Sequence, residues 1–183
     1  PVDGLYRFTT SFGHAGVNAD VIVVGKKALV FDTGTDPSPI FQFVSDRGLE
    51  IDRLFITHDH HDHTRGLSAF DDCRILMPEQ SNHGDVMNID DHHKLTVLDV
   101  SGHMNPARAY LYDGLAQPVC IVGDSVFSGS MGGTTNLDHY QTALDTAKNN
   151  ILTLPVNTII CPGHGPLTTV EKELIYNPFS NNV

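Results

Sequence analysis

One short run of histidines and aspartates, placed directly after an apolar strand, constrains this chain more than any other feature. Residues 53–57 have the aliphatic and aromatic composition of a buried strand, and they lead into the sequence His58-Asp-His-His-Asp-His63. Strand alternation places the first two donors on one side, and the last two lie at the turn into a helix predicted to begin near Thr64. The four donors predicted to converge at this strand end are His58, His60, Asp62 and His63.

Three more potential ligands follow predicted strands further along the chain. Each stands beside glycine, which allows the tight turns that bring a side chain close to a buried ion. These residues are His103, Asp124 and His164, and the glycines are at positions 102, 123, 163 and 165. Any one of them alone would more often be an ordinary surface, core or turn residue, but their order along the chain favours one metal site. Imidazole and carboxylate ligands suit zinc, iron or manganese.

Strand-like runs are spread along the whole chain, and helix signals are fewer. The predicted fold is therefore α/β, with two sheets packed face to face and covered by helices. The predicted strands span residues 5–9, 20–24, 28–31, 53–57, 74–77, 95–100, 107–112, 119–123 and 158–161. The polar span 78–93 is predicted to be a loop.

Capping residues predict three helices. The first has Asp36 as its N-cap and Pro37 at its first helical position. Asn136 caps the second, and a capping-box pattern of Thr168 and Glu171 precedes the third. The second helix is predicted to have one apolar face, formed by Leu137, Tyr140, Leu144 and Ile151.

The acidic charge balance limits the partners of this chain. It has 11 basic and 22 acidic side chains and a net charge of −11, which disfavours nucleic acid and anionic membranes. We find no apolar run of about 18 residues and no signal peptide. The cysteines, predicted to be buried free thiols of a reducing compartment, are Cys73, Cys120 and Cys161. We expect a cytoplasmic protein with one domain over residues 1–183 and a small-molecule substrate.

The segment Thr57-His-Asp-His-His-Asp-His-Thr-Arg-Gly66 resembles the T-H-x-H-x-D-H-x-x-G signature of the metallo-β-lactamase superfamily. Four further segments resemble its other motifs in the right order: Phe31-Asp-Thr-Gly34, Gly102-His103, Gly123-Asp-Ser-Val-Phe127 and Pro162-Gly-His-Gly165. This resemblance implies an αββα sandwich of the metallo-β-lactamase fold, with two divalent metal ions at the rim between the sheets. Zinc is the favoured metal, with iron and manganese as alternatives.

The same resemblance implies a role for each ligand. One metal is held by His58, His60 and His103, the second by Asp62, His63 and His164, and Asp124 bridges both. Asp62 and Asp124 are the predicted catalytic residues, because they would orient a metal-bridging hydroxide and carry its proton. Asp32 and Thr57 are candidates to orient the ligating histidines, although Asp32 could equally be a turn residue. His61, the variable position of the signature, is predicted to point away.

Within the superfamily, the chain is most similar to the glyoxalase II-like branch. The segments that carry this similarity are 128–132, 152–155 and 165–169 through 177–179. Three departures bear on the substrate. The usual C-terminal helical domain is not expected, since 19 residues follow His164. Gly133 replaces a usual arginine, and the segment 103–108 is one residue longer than usual. These departures predict weak glutathione recognition, with a thioester as the favoured ester-like bond to be hydrolysed.

Three alternatives remain open at the level of the sequence. The runner-up is a mononuclear-iron persulfide dioxygenase, but such enzymes usually carry an arginine-threonine-aspartate segment where this chain has Gly132-Gly-Thr-Thr-Asn136. A lactonase is the second alternative. A non-catalytic metal-binding module is the third, and a complete set of seven ligands argues against it.

Overall fold

Two β-sheets packed face to face, with helices on both outer faces, form the computed structural model, which describes residues 2–180. The helices are α1 (Ser38–Asp46), α2 (His61–Thr64), α3 (Leu137–Thr146) and α4 (Val170–Tyr176). The strands are β1 (Leu5–Phe12), β2 (Ala15–Val24), β3 (Lys27–Phe31), β4 (Glu50–Phe55), β5 (Arg74–Leu76), β6 (Val86–Asn88), β7 (Lys94–Asp99), β8 (Arg108–Tyr112), β9 (Val119–Gly123), β10 (Val126–Phe127), β11 (Ser130–Met131), β12 (Ile159–Pro162) and β13 (Thr168–Thr169).

Strand direction explains why the candidate ligands meet at one edge. The first sheet has the order β1-β2-β3-β4-β5, and β3, β4 and β5 run parallel. The second has the order β13-β12-β9-β8-β7-β6, and β9 and β12 run parallel, with Pro162 opposite Gly123. Since parallel strands end at the same edge, each sheet presents the loops after its parallel strands on one side. These loops carry the segment 58–63, Asp124 and His164, and His103 follows β7, which runs in the same direction as β9.

Three apolar layers hold this sandwich together. The layer between the sheets includes Phe31 and Phe55, whose stacked rings lie 5.1 Å apart, and the fully buried Tyr110. A second layer packs α1 against the outer face of the first sheet, and a third packs the helical turn 147–151 and the start of α4 against the second sheet. This arrangement is the αββα sandwich predicted from the sequence.

Most predicted strands are present, with differences near the site. Strand β4 ends at Phe55, two residues before its predicted end, so His58 lies in a loop that has already left the sheet. Helix α2 begins at His61 and not near Thr64, so the last two donors of the cluster lie on a helical turn. The predicted loop 78–93 contains Val86–Asn88, which forms a short edge strand against β7.

Two of the predicted helix caps are displaced by one residue. Pro37 and not Asp36 occupies the N-cap of α1, although the Asp36 carboxylate accepts a hydrogen bond from the Ser38 amide. Thr169 and not Thr168 caps α4, and it accepts a hydrogen bond from the Lys172 amide. Asp36 therefore still bonds an amide of the first turn of α1, whereas in α4 Thr169 takes this role and Thr168 bonds the Glu173 carboxylate instead.

The Asn136 cap is confirmed, since its side chain accepts a hydrogen bond from the His139 amide at the start of α3. Helix α3 continues into a π-helical turn, Ala147–Ile151. Leu144 and Ile151 are buried as predicted, but Leu137 is 77% exposed and does not belong to the apolar face. The first turn of α3 is therefore exposed, and burial begins further along the helix, at Ala143 and Leu144.

All three cysteines are free thiols, as predicted. Cys120 and Cys161 are buried, while Cys73 is only half-buried. Within residues 2–180, every helix is too short or too polar to cross a lipid bilayer.

Candidate metal centre

The first group of donors lies where the loop after β4 meets the loop after β7. His60 Nδ1 lies 3.1 Å from His58 Nε2 and 3.0 Å from His103 Nε2. Asp124 completes this group, since its Oδ2 lies 3.4 Å from His103 Nε2. The ligand atoms of all four residues lie within 4.8 Å of one another. We call this group the first metal position.

The second group consists of Asp62, His63 and His164, whose ligand atoms also lie within 4.8 Å of one another. Asp62 Oδ2 lies 3.2 Å from His164 Nε2 and 3.9 Å from His63 Nε2. His63 is fully buried, and Asp62 is 8% exposed. We call this group the second metal position.

The Asp124 carboxylate lies between the two groups. One oxygen, Oδ2, is 3.4 Å from His103 Nε2 in the first group and 3.5 Å from His164 Nε2 in the second. The other oxygen, Oδ1, is 3.4 Å from His63 Nε2. A single carboxylate therefore reaches both positions, as a bridging ligand must.

The donor set fits a pair of metal ions. His63 Nε2 and Asp124 Oδ1 are buried without a hydrogen-bond partner, and such orphaned buried atoms need an explanation. Ligands about 2.0–2.1 Å from a tetrahedral zinc ion lie roughly 3.3 Å apart, close to the separations measured here. The absence of a side chain at Gly163 allows this close approach, because a β-carbon there would clash with Asp124 Oδ1 and the His63 ring.

A buried carboxylate behind the site fixes two of the histidines. Asp32 Oδ2 accepts hydrogen bonds from His63 Nδ1 and from the Thr57 hydroxyl, each at 2.8 Å, and Oδ1 accepts one from the Thr57 amide. Because the Thr57 hydroxyl gives its proton to Asp32, it accepts one from His58 Nδ1, 3.0 Å away. This network keeps a proton on Nδ1 of both histidines and directs their Nε2 atoms at the site. The orienting role predicted for Asp32 and Thr57 is thus supported by geometry.

Backbone carbonyl groups fix two further histidines of the site, His103 and His164. His103 Nδ1 donates to the carbonyl oxygen of Gly133, and His164 Nδ1 donates to that of Gly16 at 2.7 Å. Each of these bonds selects the tautomer with a free Nε2. His60 differs from the rest, since its Nδ1 is the atom that faces the neighbouring donors.

Burial and neighbouring charges set the pKa values of the metal-free cluster. Burial and the charge of His63 lower the pKa of His58 to about 2. Burial opposes protonation of His63 as well, but the carboxylates of Asp32 and Asp124 raise its pKa to about 10. Burial would raise the pKa of Asp124, yet the neighbouring imidazoles of His164 and His63 hold it well below its usual range. A cation that binds here meets an ionised Asp124 and displaces the proton of His63.

The structure brings together all seven residues predicted as ligands, and their role as ligands stays a prediction. His61 is exposed and points away, as predicted. The remaining histidines lie outside the cluster, and all of them are exposed except His93, which stacks on Tyr112 and bonds Asp90. Sequence reasoning missed the carbonyl groups of Gly16 and Gly133, because a backbone oxygen leaves no signal in the residue type.

An αββα sandwich with this cluster at its rim is the arrangement of a class of metal-binding proteins. Comparison with known proteins supports the same class. Residues 13–72 match the family model described as the metallo-beta-lactamase superfamily. The chain is 29% identical to the probable metallo-hydrolase YqgX of Bacillus subtilis (strain 168), over 92% of this chain and 94% of that protein. It is 24% identical to hydroxyacylglutathione hydrolase GloC of Haemophilus influenzae, over 86% and 89% of the two chains.

A solved structure shares the fold. The crystal structure of BLEG-1 B3 metallo-beta-lactamase superimposes with a TM-score of 0.79 at 24% identity, and covers 96% of this chain and 99% of that one. The family match over residues 13–72 and these relatives support a place for the chain in the metallo-beta-lactamase superfamily, and the solved structure supports the fold.

Proposed function

We propose that this protein is a metal-dependent hydrolase of an ester-like bond, with a thioester as substrate, and that it works with two divalent metal ions. The observation that carries this proposal is the position of the Asp124 carboxylate, whose oxygens reach His103 in the first group and both His63 and His164 in the second. Similarity to YqgX and GloC supports the hydrolase class. The seven donors are imidazole and carboxylate groups, which suit zinc, iron and manganese, and of these we favour zinc.

Bound divalent ions would supply a nucleophile at neutral pH, by lowering the pKa of water, and would polarise the carbonyl group of the substrate. The protein contributes orientation and proton transfer. Asp62 and Asp124 are the proposed catalytic residues, since each places carboxylate oxygen among the ligand atoms and can orient water and accept its proton. Asp32 and Thr57 hold the rings of His58 and His63, so little rearrangement is needed during the reaction.

A thioester suits this site better than an amide or a phosphodiester. The leaving thiolate needs no strong general acid, whereas an amide requires a positioned proton donor. A phosphodiester would favour a cationic clamp. At the edge where His103 meets the loop after β11, Gly133 contributes a backbone carbonyl and no side chain.

The test is a panel of substrates with matched variants. Zinc-loaded protein is expected to hydrolyse S-lactoylglutathione or another thioester faster than lactones, β-lactams or phosphodiesters. His58→Ala and His103→Ala should lower turnover by at least about 100-fold while circular dichroism stays unchanged. His61→Ala is the control, because it removes an exposed histidine from the same segment and should leave turnover intact.

Two results would overturn the proposal. Oxygen uptake with glutathione persulfide by iron-loaded protein, without hydrolysis of any ester or thioester by zinc-loaded protein, would favour the dioxygenase. A wild-type protein that never binds more than one metal equivalent would contradict the two-metal site.

A further inference from the structure

His164 lies on a loop whose flanking glycines restrict its backbone conformation only weakly. It lies between β12 and β13 with glycine on both sides, and glycine restricts the backbone less than any other residue. The imidazole nevertheless has to place Nε2 near both Asp62 and Asp124. Contacts from outside the loop must therefore determine where the ring lies.

Asn18 on β2 supplies most of these contacts. Its side-chain amide donates to the carbonyl oxygens of Pro162 at 3.0 Å and of Gly165 at 2.9 Å, one before and one after His164. Its backbone amide donates to the carbonyl oxygen of Gly163 at 2.7 Å. Asn18 is 4% exposed, so these bonds do not compete with bulk water. One residue thus holds the peptide groups on both sides of the histidine.

Neighbouring side chains fix the orientation of the Asn18 amide. The Thr9 hydroxyl donates to Asn18 Oδ1 at 2.7 Å, which directs Nδ2 toward the loop. Arg7 adds a bond of 3.2 Å to the Gly165 carbonyl, and its guanidinium is held by two bonds of 2.8 Å to Asp20. The register of β1 and β2 pairs Thr9 with Asn18 and Arg7 with Asp20, which puts all four side chains on one face.

The His164 ring is anchored on the same strand. Its Nδ1 donates to the carbonyl oxygen of Gly16, two residues before Asn18, at 2.7 Å. Hydrogen bonds thus tie both the loop backbone and the His164 ring to β2 of the first sheet, although the loop itself connects strands of the second sheet. A shift of the loop away from β2 would move Nε2 away from Asp62 and Asp124.

We propose that Asn18 is a positioning residue for the second metal position, acting through the loop that carries His164. This inference rests on the two-metal site proposed above. Partners of metal ligands typically contribute 10–100-fold to metal affinity. Loss of the Asn18 amide should therefore weaken one metal equivalent by about that factor and leave the other unchanged, since the first position has no ligand on this loop.

The experiment challenges zinc-loaded protein with increasing chelator and measures the affinity of each zinc equivalent. Asn18→Ala removes the two side-chain hydrogen bonds to the loop. Asn18→Asp keeps the size of the side chain but replaces the amide donor with a carboxylate acceptor that faces two carbonyl oxygens. Thr9→Val changes an exposed residue and removes only the hydrogen bond that orients the Asn18 side-chain amide. This variant should therefore fold even if the Asn18 variants do not. His164→Ala and His103→Ala identify which equivalent belongs to which position.

Asn150→Ala is the matched control, since its side-chain amide also donates to a backbone carbonyl, that of Asp99, away from the His164 loop. We expect Asn18→Ala and Asn18→Asp to weaken the equivalent that His164→Ala loses by 10-fold or more, with a smaller effect in Thr9→Val and none in Asn150→Ala.

Equal weakening of both equivalents, or no weakening in any Asn18 or Thr9 variant, would overturn the inference. A wild-type protein with a single equivalent would overturn the two-metal proposal, and with it the assignment of Asn18 to a second position. The two failures are therefore distinguishable.

Discussion

The candidate ligands fall into two regions that are held in different ways. The segment from His58 to His63 is contiguous, and a side-chain network centred on the buried Asp32 carboxylate fixes it from behind. His103 and His164 stand on separate loops, and each is oriented by the backbone carbonyl of a residue distant in sequence. The first region depends on one charged group, whereas the second depends on how the sheets and loops pack.

Because the two regions are held differently, mutations in them should have different effects. Removal of a buried carboxylate leaves several polar groups without partners at once, so damage to the contiguous segment should affect the stability of the whole protein. A loop held by backbone carbonyl groups can shift while the sheets remain folded. Damage there should appear in metal affinity before it appears in stability.

The largest effect is expected from Asp32→Ala. The Thr57 amide and hydroxyl and the His63 imidazole would all lose their acceptor inside the protein. Breaking a buried charged pair of this kind costs about 3–5 kcal/mol. The free energy of unfolding, measured with urea on metal-free protein, should fall by that amount.

The surface variant Asp36→Ala is the control for Asp32→Ala. It removes an exposed aspartate that hydrogen-bonds Ser38 in its own loop, so about 0.5 kcal/mol is expected. Equal losses in the two variants would show that Asp32 does not anchor the contiguous segment.

The next effect, confined to single protons, is expected from pH. The pKa of His63 is raised to about 10, above its unfolded value near 6.5, so its stabilising contribution is complete below pH 6.5 and is lost as pH rises toward 10. The pKa of His58 is lowered to about 2, so the unfolded state takes up a proton below pH 6.5 that the folded state refuses. This contribution destabilises the protein as pH falls.

Metal-free protein should therefore be most stable near pH 6.5, and urea unfolding at a series of pH values in the presence of chelator measures this. In His63→Gln the decline on the alkaline side should disappear, while the decline on the acid side remains. A wild-type profile that stays flat from pH 7 to 9.5 would show that Asp32 and Asp124 do not hold the His63 proton.

The smallest changes are expected from alanine substitutions of the two glycines that flank His164. One substitution tests a steric effect and the other tests a conformational effect. In Gly163→Ala the new β-carbon would clash with Asp124 and His63, so zinc affinity should fall about 10–100-fold. In Gly165→Ala the β-carbon meets open space, but the φ of +77° costs about 1–2 kcal/mol of stability. Titration of zinc and urea unfolding of both variants distinguish the two effects. Equal zinc affinities would contradict the close approach at Gly163.

The sequence was most informative where function depends on residue type at short range. The cluster from His58 to His63 could be predicted because a strand leads into it and four donors follow within six residues. Asp124 and His164 could be found because each follows an apolar strand and stands beside glycine. The fold followed from the same strand pattern.

Contacts that depend on tertiary packing could not be predicted. Asn18 lies in a strand, and nothing in its neighbourhood in the sequence shows that it faces Pro162 and Gly165, more than 140 residues away. Local signals also failed by one residue where two neighbouring residues can do the same work, as with Thr168 and Thr169 at the cap of α4. Leu137 fits the helical period but lies in an exposed first turn of α3.

The division of the ligands between the two sheets has a consequence for the lifetime of the protein. His58 to His63 extend from the first sheet, while His103, Asp124 and His164 extend from the second, so ions bound as proposed would cross-link the halves of the sandwich. Each ion present at 100 times its dissociation constant adds about 2.7 kcal/mol to the free energy of unfolding. The supply of metal in the surroundings would then set how often the sandwich opens, and with it the rate at which proteases remove the protein.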